Sequence, residues 1–244
     1  MPRPVVSPVI GRVLRALFAA IMLVRRPRPI HADGVVLRGM LRRLPGRVRT
    51  GIRWIDDGPS EEPVLARASR SAGFPPPWPD FTGLALRFAG DGGEPADLEL
   101  ASTGFAFPSR FWLIPHQSPS RARLGTLLPY RTPSGPLLIC ARTISPDDLP
   151  VAMHDLAGRL EDEPWRLRFY TASPRGKWRP FAEAELRRAE GPLDAPLRFD
   201  AVRHPLPGTA QYAWVEAVRQ PSYELSQGPG DPDPTRVDGY SSTA

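Results

Sequence analysis

Proline restricts this chain more than any other residue does: 32 of its 244 residues are proline. Each proline holds φ near about −65° and removes a backbone donor, which limits long helices and uninterrupted central strands. The expectation is a set of short strands joined by stiff loops, not a helical bundle. The length suffices for one sizeable core or two small domains.

Taken in order, residues 1–30 read as an arm with one helix, roughly 9–24. Residues 34–43 carry the apolar run Val35-Val36-Leu37 and read as a first strand. Residues 44–62 read as a polar loop anchored by Trp54. Strands are then expected at 64–70, 83–88, 97–102, 137–144, 151–156, 165–170 and 178–186, from apolar-polar alternation or from short apolar runs. The Gly/Asp-rich stretch 89–96 should turn the third strand into the fourth as a hairpin. Residues 73–80 read as a polyproline-type connection, and 105–133 as loop with a helical turn near 121–128. Residues 187–209 read as irregular, 211–227 as a C-terminal helix with Trp214, Val215 and Val218 on its apolar side, and 228–244 as a disordered tail. Eight short strands, mostly neighbour to neighbour, predict an α+β chain built on an antiparallel β-barrel or sandwich, with flanking N- and C-terminal helices. The domain reading is an arm over 1–30, a barrel domain with its C-terminal helix over 31–227, and the tail.

The net charge is +6, and Lys177 is the single lysine, so the excess is arginine spread along the chain. Arginine forks suit carboxylates and phosphates, but no recognisable nucleic-acid motif accompanies them. The lone cysteine, Cys140, sits in an apolar run. It excludes an intrachain disulfide and a thiolate metal cluster, reads as a small core residue, and fits a reducing cytoplasm. The longest unbroken apolar run, residues 17–24, is too short to span a bilayer. Arg25 and Arg26 follow it directly and no small-residue cleavage site is evident, which favours a packed N-terminal helix over a signal peptide. A homo-oligomer is left open.

Among chemistry-bearing residues, His31 stands out. It follows a basic, proline-rich arm containing Arg28 and precedes an Asp33-Gly34 turn at the mouth of a strand. Alone it reads either as an acid–base group or as a capping histidine. His116, His154 and His204 have no partners at metal-binding spacing and read as structural. The His154-Asp155 dipeptide resembles a ligand pair of metal-dependent phosphohydrolases, a lower alternative that needs several further ligands.

Four segments, in order, resemble haem catalases. Arg28-x-x-His31-Ala32-x-Gly34 before a strand is similar to the family's distal-histidine segment. Ala66-Arg67-Ala68-Ser69 is similar to the strand with a haem-contacting arginine and a serine behind that histidine. Asp80, with Gly83-Leu84-Ala85-Leu86-Arg87-Phe88 and then Asp97-Leu98, resembles the two strands that follow. Arg219-Gln220-Pro221-Ser222-Tyr223 matches the arginine and Ser-Tyr spacing of the proximal haem ligand. The resemblance is firmest over 28–107 and returns at 198–227.

The resemblance implies a minimal-core catalase-like barrel that binds haem b and acts on hydrogen peroxide or organic peroxides. By it, Tyr223 is the iron ligand, and Arg219, four residues away, favours its phenolate. His31 is the acid–base group and Ser69 holds its other nitrogen. Arg67 and Arg28 pair with haem propionates. The chain departs from the family where an asparagine would assist on the distal side: Ala101-Ser102-Thr103 stands there, and the chain has no asparagine at all. Pro221 is compatible with a helix only in its first turn. A haem-free or non-catalytic relative is therefore the main alternative, and a core or interface tyrosine is the alternative for Tyr223.

Overall fold

The computed structural model describes residues 34–46, 49–75, 77–195, 197–213 and 215. The chain divides into two compact units: His31–Tyr212 with Asp233–Ala244, and Met1–Ile30 with Ala213–Pro232. The first holds every element named below. The expected helices over 9–24 and 211–227, apart from a few positions at the start of the second, lie outside the described residues, as does the tail.

Among the described residues nine strands run antiparallel: β1 (Gly34–Arg43), β2 (Glu61–Arg70), β3 (Thr82–Ala89), β4 (Pro95–Thr103), β5 (Arg123–Gly125), β6 (Tyr130–Thr132), β7 (Gly135–Ser145), β8 (Trp165–Ala172) and β9 (Arg179–Arg188). Each of β1 to β4 pairs with the next, β4 pairs β5, β5 pairs β7, and β7, β8, β9 and β1 complete the ring. The result is a closed eight-stranded barrel, with β6 as a short extra strand on β7. Closure removes free sheet edges, and β1, β2, β3, β4, β7, β8 and β9 each run eight residues or more, longer than the short strands expected from the proline content. Among the described residues the barrel is accompanied by the single turn α1 (Arg53–Asp56) and by α2 (Met153–Asp162).

Alternation decides what faces inward. Val35, Leu37 and Leu41 of β1, Val64, Ala66 and Ala68 of β2, Leu84, Leu86 and Phe88 of β3, and Leu98 and Leu100 of β4 belong to one buried core. Trp165, Leu167 and Phe169 of β8 meet them from the other wall. Trp54 anchors its segment as expected, but from a helical turn: its Nε1 donates to Glu62 Oε2 at 3.0 Å and its ring lies 4.7 Å from Phe88.

Two further expectations fail. Residues 151–156 do not form a strand. Met153, Leu156, Ala157 and Leu160 are buried at spacings of three and four, so a window ending at 156 cut a helical period short. The region 121–128 is not a helical turn; a 3₁₀ turn ends at Arg121 and the three-residue β5 follows. A strand of three residues carries no readable period, and its two neighbours across the sheet define it.

Candidate functional site

The register of the barrel aligns small residues across its outer face. Gly34 of β1 lies opposite Ser69 of β2, Ser69 opposite Gly83 of β3, Gly83 opposite Ala101 of β4, and Ala101 opposite Gly125 of β5. Directly paired residues project to the same side, and their neighbours along each strand point into the core. The row is a shelf almost without side chains. One pair further along, Val36 lies opposite Arg67 and Arg67 opposite Ala85. Ser69 is 4 % exposed and shares this outer face with Arg67, as positions two apart on a strand do.

Arg67 leans over the start of β1: a Cβ on Gly34 would fall 2.5 Å from its guanidinium carbon, so glycine is required there for this arrangement. The guanidinium donates from Nε and Nη2 to Asp194 at 2.7 and 2.6 Å. Asp194 also accepts from the Ala195 N–H at 2.9 Å and from the Gly34 N–H. Burial alone would raise the Asp194 carboxyl, but Arg67 and these backbone donors hold it below the usual carboxylate range. The segment bearing Asp194 is fixed to the end of β1, where Val36 N–H donates to Leu193 O and Ala189 N–H to Val36 O. Asp194 carried no sequence signal, because it is 127 positions from its partner in a stretch without periodicity.

Of the residues that stand where the family has its asparagine, Ala101 and Ser102 are not equivalent. Ser102 is fully buried on the inner face and accepts from the Thr82 N–H at 3.1 Å. Ala101 stands on the outer shelf opposite Gly83. Asp97, also singled out, is fully buried and accepts two bonds from Arg87 at 2.7 Å each, one from the Asp200 N–H at 2.8 Å, and one from His204 Nδ1 at 3.1 Å. It ties the β3–β4 hairpin to the segment after β9, and His204 is structural there.

His31, Arg28, Arg219 and Tyr223 lie outside the described residues. His154 sits on α2, its side chain 92 % exposed with Asp155 at 3.5 Å. Among the described residues no three His, Cys, Asp or Glu side chains gather as a metal site, and no helix is long and apolar enough to cross a membrane.

No protein-family model matches the chain, and no curated protein matches it in sequence. Among solved structures, a bacterial catalase superposes with a TM-score of 0.54 over 90 % of this chain, at 14 % identity. The fold is catalase-like. The chain spans 63 % of the length of that catalase. At this identity the likeness speaks for the barrel and its order of elements.

Proposed function

We propose that this chain is a haem-binding relative of the catalases that acts on hydrogen peroxide or organic peroxides, with haem b against the shelf formed by Gly34, Ser69, Gly83 and Ala101. The observation that carries the reading is the shelf itself, a row of small residues on a catalase-like barrel with the Arg67 guanidinium over its Gly34 end. A planar macrocycle suits a surface from which no large side chain projects, and a guanidinium suits a propionate. Arg67 is already held by Asp194, so a propionate must share that guanidinium or take the place of Asp194.

Bound haem supplies a redox-active iron. The chain supplies the rest. Tyr223 is the iron ligand, its phenol kept deprotonated by Arg219. His31 moves the peroxide proton from one oxygen to the other. It is three residues from Gly34, and an extended chain spans at most about 3.3–3.6 Å per residue, so the shelf is within its reach. Ser69, opposite Gly34, would bond the second imidazole nitrogen, and Arg28 would take the remaining propionate. With alanine at 101, no amide assists His31.

Protein expressed with added haem should show a ferric tyrosinate spectrum, lost in Tyr223→Phe. His31→Ala should keep the spectrum and lose about 10²-fold or more in peroxide consumption, the usual worth of a positioned acid–base group. Ala101→Asn should raise turnover, whereas Ser102→Asn should damage the fold. Protein that stays colourless after reconstitution overturns the proposal. That result would favour a haem-free relative, the reading that the Arg67–Asp194 pair also supports, since that pair leaves the cation already satisfied.

A further inference from the structure

Further round the same outer face, beyond the Ala101–Gly125 end of the shelf, the barrel carries an imbalance of charge that the haem reading does not use. Following the register outward from β4, Thr103 lies opposite Arg123 of β5, Arg123 opposite Arg142 of β7, Arg142 opposite Arg168 of β8, and Arg168 opposite Glu183 of β9. Three arginines therefore stand side by side on one face. Arg168 is neutralised by Glu183, with contacts of 2.7 and 2.6 Å. Arg123 and Arg142 form no ion pair among the described residues. Arg123 donates to the Arg121 carbonyl at 3.0 Å, and Arg142 lies over the Phe105 ring at 5.1 Å. Like charges directly opposite in a sheet repel, and burial first and the Arg142 charge second hold the Arg123 guanidinium below its ordinary value.

Two neighbouring groups carry an unsatisfied nitrogen. Arg110 is 6 % exposed; its guanidinium lies over the Trp178 ring at 4.7 Å, its Nη1 donates to the Ser173 and Gly176 carbonyls at 3.1 Å each, and its Nε is buried without a partner. His116 lies within the field of Arg123, and its Nε2 is buried without a partner. Arg110, Arg123 and Arg142 all act on Cys140, the fully buried residue between Gly125 and Tyr170 in the adjacent row. Burial keeps that thiol neutral, so it offers no counter-charge.

We propose that Arg123 and Arg142 form a binding site for a phosphoryl dianion, free or carried as a monoester on a small molecule. Two unpaired cations directly opposite each other on adjacent strands match an oxyanion with several acceptor oxygens and more than one charge. The proposal stands on residues separate from the haem shelf and is tested without haem.

Thermal unfolding and calorimetric titration of the full chain should be run at constant ionic strength with inorganic phosphate, phenyl phosphate or chloride. The expected result is a saturable rise in Tm with phosphate beyond that with chloride. Tighter binding of phenyl phosphate marks a monoester site, and equal binding marks a site for the free ion. Arg123→Gln/Arg142→Gln should melt higher than wild type in chloride, because the cross-strand repulsion is gone, and should bind phosphate at least about tenfold more weakly. A wild-type response to phosphate no larger than to chloride overturns the proposal. So does a double variant that keeps the response or melts lower in chloride. Binding of a single-stranded oligonucleotide without binding of either phosphate also overturns it.

Discussion

Arg67 and Asp194 show how one pair can serve both the fold and a site. Their two hydrogen bonds fasten the chain after β9 to the mouth of β1, with the side chains 14 % and 30 % exposed. Removing one charge from a two-handed pair of this burial should cost about 1–2 kcal/mol, so Arg67→Ala should lower the denaturation midpoint at neutral pH. The folded pKa of Asp194 lies below its unfolded value. Its contribution is therefore complete above the unfolded value of about 3.9 and is lost as pH falls through the folded one. Asp194→Asn should be destabilised at pH 7 and converge on wild type in acid, which denaturation series at several pH values will measure. Cys140 is the complementary case. Burial pushes its thiol up to about 12 despite the nearby arginine charges. Native protein should resist iodoacetamide at pH 8, and denatured protein should react fully. Rapid native labelling would contradict the buried placement.

At the scale of elements, the seam between β1 and β9 is the tightest joint. Gly39 lies opposite Leu186, and a Cβ on Gly39 would fall 1.7 Å from the Glu185 carbonyl oxygen. No rotamer relieves a clash with backbone, so Gly39→Ala must push the strands apart. A loss of about 1–3 kcal/mol or more is expected from such overpacking, read as a lower midpoint in urea. Gly158 on α2 offers the contrast, since an added Cβ there meets nothing within 4 Å. Gly158→Ala should be stabilising by about 0.5–1 kcal/mol through helix propensity. The Asp97 cluster works at the same scale: one buried carboxylate joins β3, β4 and the segment around Asp200 and His204.

For the molecule as a whole, closure rests on β5. Its three residues bridge β4 and β7, and Leu124 is its inward side chain, fully buried in the shared core. Leu124→Ala should cost about 2–5 kcal/mol as a cavity at the closing strand. If one core holds the ring, the near- and far-ultraviolet signals of this variant should still unfold together. Separate transitions would mean that the two halves of the barrel fold independently. Closure also has a functional consequence, because a continuous outer surface is what lets one register align the shelf on β1 to β4 and the arginine row on β5 to β8.

The sequence by itself determined what short-range chemistry can encode. Apolar runs or alternation marked β1, β3, β4, β8 and most of β2, β7 and β9, and the Gly/Asp turn at 89–96 announced the hairpin, because each depends only on neighbouring residues. Strand alternation by itself puts Arg67 and Ser69, two positions apart, on one face. His31, Arg28, Arg219 and Tyr223 were legible as residue types in a family-like order, and their roles remain part of the proposed function. Tertiary structure decided the rest. It made a strand of Arg123–Gly125, a helix of Met153–Asp162, and an inner residue of Ser102 where Ala101 faces out. It also brought Asp194 to Arg67 and set Arg123 against Arg142. These outcomes depend on register and closure between segments far apart in the chain, and a one-residue slip in register would turn every side chain of a strand to the other face.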